Sequence, residues 1–125
     1  MTAIYRACFA FDAGSGRCLW RANDRAVTEF GLPIDPARLP ISSVTRELLN
    51  DLCARYDTSM NWDYPPDPGP WRRSDCDRFA ADVQTALRQL RTELGEQWQI
   101  VDDFQPVVED PDLDRYLQNP QTFRR

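Results

Sequence analysis

The stretch from Ser74 to Leu94 constrains this chain more than any other. Cys76, Phe79, Ala80, Val83, Leu87, Leu90 and Leu94 recur at intervals of three or four, and Gly95 follows the last of them. That spacing puts the apolar side chains on one stripe of an α-helix. The S-D-C-D opening matches a capping box, with Ser74 as cap and Asp77 in the glutamate role. Asp75 and Asp77 also suit the positive end of the helix dipole, and Gly95 suits the stop. The pattern lasts under three heptads, so it marks a face turned toward a core and not a coiled-coil seam. Such a face needs a second layer to cover it, and the rest of the chain must supply that layer.

The first candidate for that layer is a hairpin. In residues 4–11, Ile4, Arg6, Cys8 and Ala10 alternate with Tyr5, Ala7, Phe9 and Phe11. The Asp12–Gly16 stretch offers glycines for a turn, and Arg17–Trp20 returns as a second strand. Trp98, Ile100, Asp102 and Phe104 alternate with polar neighbours and predict a third strand. Asn23 or Asp24 caps a short helix through Ala26, Val27 and Phe30, closed by Gly31. Pro33, Pro36 and Pro40 then break the chain into an extended or one-turn connector. Ser42 or Ser43 caps a helix whose apolar positions are Val44, Leu48, Leu49, Leu52, Cys53 and Tyr56. Asp110 and Pro111 form an N-cap and N1 pair for a last helix carrying Leu113, Tyr116 and Leu117. The fold class that follows is α+β. A single domain over 1–118 holds a short, mostly antiparallel sheet packed by three to four helices, and a frayed tail occupies 119–125.

Composition removes most catalytic chemistry. The chain has 125 residues, and its fifteen basic side chains are all Arg; there is no Lys and no His. Without His there is no Ser-His-Asp or Cys-His pair and no imidazole ligand. Without Lys there is no Schiff base and no phosphate-binding lysine of the P-loop kind. Phosphate and nucleophile-elbow motifs are absent, and Gly14-Ser15-Gly16 is explained as a turn. Cys8, Cys18, Cys53 and Cys76 are too widely spaced for a metal site and are expected as free thiols. Neither a signal peptide nor a membrane span is evident, so a cytoplasmic location is expected.

The densest feature is Asn61–Trp71, which holds two Trp, one Tyr and four Pro in eleven residues. Proline stiffens a segment that lacks regular hydrogen bonds. Trp and Tyr bring large contact area with few rotatable bonds, as binding hot spots do. The same rings can equally cover the base of a small core. A second feature is charge. The net charge is −5, and Asp102, Asp103, Glu109, Asp110, Asp112 and Asp114 follow one another with no intervening base. An acidic patch repels nucleic acid and anionic membranes and attracts a basic protein. The D-x-D-x-D spacing at 110–114 fails as a calcium loop, because Pro111 and Arg115 stand where a flexible turn belongs.

These features predict a non-catalytic, cofactor-free and metal-free domain that binds a basic protein partner. Its most concrete form is an inhibitor or immunity protein that masks a toxin or nuclease. Trp62, Asp63, Tyr64 and Trp71 are the expected anchors, and Asp102, Asp103, Glu109, Asp110, Asp112 and Asp114 the expected steering and pairing charges. One alternative is a small enzyme or sugar-like ligand binder using Asp63, Asp67, Asp102 or Asp103 beside aromatic rings. Another is an accessory subunit of a larger assembly.

Overall fold

The protein is described here by a computed structural model that covers residues 4–21, 23 and 33–125. Three strands form one sheet in the order β2-β1-β3, with β1 at Tyr5–Phe9, β2 at Leu19–Arg21 and β3 at Trp98–Asp102. Among the described residues there are three α-helices: α1 at Ser43–Asp57, α2 at Arg73–Leu94 and α3 at Leu113–Gln118. The fold is a small α+β domain. The helix expected from Asn23 or Asp24 to Gly31 lies outside the described residues.

The hairpin forms because its turn can be built only with unusual backbone angles. Gly14 and Gly16 have φ of 84° and 68°, in the left-handed region that glycine tolerates. β1 and β2 pair antiparallel, with Cys8 opposite Trp20. Alternation along β1 holds: Ala7 and Phe9 are fully buried, whereas Arg6 faces solvent. β3 departs from the expectation. It runs parallel to β1, with Ala7 opposite Ile100, so the sheet is mixed and not mostly antiparallel. The reason is the connection: between β2 and β3 the chain passes through both long helices, a crossover long enough to re-enter the sheet in the same direction as β1.

α2 buries Phe79, Val83, Ala86, Leu87, Leu90 and Leu94 in one core with the sheet and α1, and Cys76 outside that core, beside Val107 and Val108. Each fully buried leucine there contributes about 2 kcal/mol of hydrophobic stabilisation. The start of α2 is two residues earlier than the capping pattern suggests. Arg72 is the cap residue, and the Asp75 carboxylate accepts from its backbone N–H at 2.9 Å; Ser74 lies inside the helix. Asp75 wins over Asp77 because it is the acid three residues after the actual cap.

α1 begins as expected at Ser42, whose hydroxyl accepts from Thr45 N at 3.2 Å. Its inner face is rotated from the expected one: Val44 is 65% exposed and Thr45 is fully buried. A polar set on α2 explains the exchange. The Thr45 hydroxyl donates to Glu93 and accepts from Gln89 Nε2 at 2.8 Å, while Ser42 N donates to Glu93 Oε1 at 2.6 Å. The connector before α1 contains a single turn at Pro36–Arg38, and it also inserts Ile34, Leu39 and Ile41 into the core.

The last helix starts later than Asp110. Asp112 is its cap, and Asp110 instead closes the preceding turn, accepting from Asp112 N at 2.9 Å. Of the apolar residues this helix carries, Leu113 is buried and Leu117 is 53% exposed. For residues 119–125 fraying was expected; here Phe123 is buried against Tyr116 with ring centroids 5.4 Å apart. The Arg125 guanidinium reaches Asp110, Asp112 and the carbonyl of Pro66.

Candidate partner-binding site

The proline-aromatic segment is built on the end of α1. Two consecutive residues there receive the two indoles: Trp62 Nε1 donates to the Asp57 carbonyl at 2.7 Å, and Trp71 Nε1 to the Thr58 hydroxyl at 3.0 Å. The Asp57 carbonyl also accepts from Met60 N at 3.3 Å, so the Trp62 indole adds a second, shorter donor to a group at the helix end. The Asp57 carboxylate accepts from Gly14 N at 2.9 Å, which docks the hairpin turn beside the same helix end. A Cβ placed on Gly14 would lie 3.6 Å from the Trp62 ring, so the indole rests on the turn.

Asn61 organises the loop. Its amide oxygen accepts from the backbone N–H groups of Asp63 and Tyr64, both at 3.1 Å. Its amide nitrogen donates to the Pro68 carbonyl at 3.1 Å and to the Tyr116 phenol at 3.0 Å. Prolines fix φ at four positions, and this one side chain supplies the hydrogen bonds that they cannot donate. At Gly69 the loop passes so close to the turn that follows α1 that a Cβ would stand 2.0 Å from the Ser59 carbonyl oxygen. Neither Asn61 nor Gly69 emerges from the sequence reasoning, although Asn at the head of a proline-rich loop is a known turn signal.

This scaffold separates the expected aromatic anchors. Trp62 and Tyr64 are 57% and 59% exposed. Trp71 packs edge-on to Phe79 at 5.0 Å and belongs to the cluster of Phe9, Phe11, Tyr56 and Phe104 that closes the core. The loop thus serves both readings: one end covers the core, and the other carries exposed rings. Asp63 is exposed beside Trp62, and no Arg stands within ion-pair range of it among the described residues.

The loop forms a ridge between two open grooves. One, of about 320 Å³, lies against α3 and is lined by Met60, Trp62, Asp63, Leu113, Tyr116 and Leu117. The other, of about 530 Å³, is lined by Tyr64, Pro66, Asp67, Phe123, Arg124 and Arg125. Asp63 and Asp67 therefore face different grooves.

The acidic run does not form one uniform patch. Arg72 pairs with Asp114 at 2.8 Å and lies 3.9 Å from Glu109, which also accepts from Arg73 N at 2.7 Å. Arg125 pairs with Asp110 at 2.7 Å and Asp112 at 3.0 Å, and Arg115 adds a longer contact to Asp112. The Arg125 hydrogen bond holds the Asp110 carboxyl below the usual range. Asp102 and Asp103 are elsewhere, at the end of β3. Asp102 accepts from Phe104 N at 3.0 Å, and Asp103 pairs with the Cys8 thiol, whose pKa burial raises first and Asp103 second. The closest positive partners of Glu109–Asp114, Arg72 and Arg125, come from outside the run, so the run of acids concealed them.

The four cysteines are free. Cys18 and Cys53 share a thiol hydrogen bond, which with burial pushes Cys18 well up. Among the described residues no group of His, Cys, Asp or Glu is arranged to hold a metal ion, and no helix is long and apolar enough to cross a membrane.

Fold and surface define a small α+β domain that presents a stiffened aromatic ridge. Residues 11–102 match the family described as Serratia CdiI immunity protein-like, and the chain belongs to that family. The matched span takes in the hairpin turn, both long helices, the ridge and β3. No curated protein matches the chain.

Proposed function

We propose that this chain is a cytoplasmic, non-catalytic immunity protein that neutralises a toxin domain by binding it through the ridge at Trp62, Asp63 and Tyr64. The carrying observation is that Trp62 and Tyr64 stay more than half exposed on a loop fixed by Asn61 and by both indole hydrogen bonds. Large rings already held in place lose little freedom on binding, which is the property of a hot spot. Family membership supports a toxin as the partner. The net charge of −5 favours a basic one, since opposite charge speeds encounter. The separation of Asp63 and Asp67 into different grooves offers an acid/base pair no common substrate site.

The test is protection in cells. A toxin domain, sought among the reading frames that neighbour this gene, is expressed with and without the chain. Co-expression is expected to restore growth, and the purified proteins are expected to co-elute. The Trp62→Ala, Tyr64→Ala double variant is expected to keep its circular dichroism spectrum and lose protection. Absence of both protection and complex with the wild-type chain overturns the proposal.

A further inference from the structure

We infer that the groove between the ridge and α3 is a subsite for one cationic side chain of the toxin, an Arg or Lys, held between the Trp62 ring and the Asp63 carboxylate. The inference rests on the immunity reading and specifies which charge on this face reads the partner.

Charge accounting leads to it. Glu109, Asp110, Asp112 and Asp114 already have Arg72, Arg115 or Arg125 as partners. They shape the face, and their charge is largely matched before any partner arrives. Asp63 differs, because it is exposed, lines the groove and has no ion pair among the described residues. An apolar side chain docking there would strip water from an unpaired carboxylate and leave it unsatisfied, at a cost in affinity. A cation would satisfy it.

The walls fit the rest of such a side chain. Arg and Lys combine an apolar stem with a charged head, and the stem needs apolar surface. Met60, Leu113 and Leu117 provide it, with Leu117 53% exposed. Trp62 provides an aromatic ring held at two points, by the Asp57 carbonyl and against Gly14. A guanidinium or ammonium over an indole face gains further attraction, most for Trp among the aromatic residues. Carboxylate, fixed indole and apolar floor together form a site with a preference for one chemistry.

The experiment measures binding to the toxin domain used in the protection test by surface plasmon resonance. Asp63→Asn is expected to weaken affinity by about ten-fold and to flatten its salt dependence, with an unchanged melting temperature. Glu47→Gln, at an exposed acid in the first half of α1, away from the ridge, is expected to leave affinity unchanged. Double-mutant cycles between Asp63→Asn and each toxin Arg→Met or Lys→Met are expected to find one strongly coupled cation. If Asp63→Asn binds like wild type while Trp62→Ala binds weakly, the cation subsite is wrong and the immunity reading survives. If the wild-type chain forms no complex, both fall.

Discussion

The side-chain amide of Asn61 donates to the phenolic oxygen of Tyr116 at 3.0 Å, joining residues 55 positions apart. The same amide nitrogen donates to Pro68, and the amide oxygen receives Asp63 and Tyr64. One side chain therefore closes the ridge on itself and ties it to α3. Asn61→Ala is expected to destabilise the fold by about 2 kcal/mol, because it leaves a part-buried carbonyl and two backbone donors to find water. Tyr116→Phe removes a single bond and is expected to cost about 1 kcal/mol. Urea denaturation of the two variants and their combination checks this. A double variant whose cost equals the sum of the singles would remove the claim that they act through one contact.

Gly69 makes a second, purely steric prediction. Its φ is ordinary, so conformational freedom is not what glycine supplies here. The obstacle is the Ser59 carbonyl oxygen, 2.0 Å from where a Cβ would stand. Backbone and not a flexible side chain would have to move, so Gly69→Ala is expected to cost about 2 kcal/mol or more. A melting temperature equal to wild type would show that the ridge can slide away from the turn that follows α1.

The sequence makes some of this plain and conceals the rest for identifiable reasons. α2 is legible because its stripe repeats over 22 residues and most of the named positions are buried. Both sheet partners of β1 are legible from alternation, yet the direction of β3 is not, since alternation is the same for parallel and antiparallel strands. Val44 and Thr45 exchange places because a periodicity count takes every apolar residue as inward. It gives no weight to a hydroxyl that Gln89 and Glu93 can satisfy. Trp62 and Trp71 look equivalent in composition; only the position of Phe79 beneath Trp71 separates cover from display. The acidic run reads as free charge because Arg72 and Arg125, which neutralise much of it, lie outside it.

Arg125 yields a prediction about salt. Its guanidinium bridges Asp110, Asp112 and the Pro66 carbonyl, so it clasps the ridge to the segment before α3. The side chain is about half exposed, which leaves the clasp open to screening. Arg125→Ala is expected to speed amide exchange at Tyr64, Asp67, Asp110, Asp112 and Leu113 in low salt. Raising ionic strength is expected to move wild type toward the variant. Equal exchange in both proteins at low salt would show that the clasp does not restrain the ridge.

The contact between α1 and α2 predicts an acid dependence. Glu93 is held below its ordinary value of 4.5, first by the Thr45 hydroxyl and then by Ser42 N–H. A carboxyl whose native pKa is depressed stabilises the fold when ionised. That contribution is complete above the unfolded value and disappears as pH falls through the native one. Glu93→Gln, which cannot ionise, is expected to melt below wild type at pH 7, and the gap is expected to narrow as pH falls below 4.5. Thr45→Val removes the first cause and strands the Gln89 amide, so it is expected to cost about 1–2 kcal/mol at pH 7. It is also expected to flatten the acid response, because Glu93 then titrates nearer its ordinary value. Asp110 contributes an acid response of the same sign through Arg125, and it is common to all three proteins. The comparison therefore rests on differences between melting curves collected from pH 7 to pH 3. Parallel curves for wild type, Glu93→Gln and Thr45→Val would show that this contact carries no proton linkage.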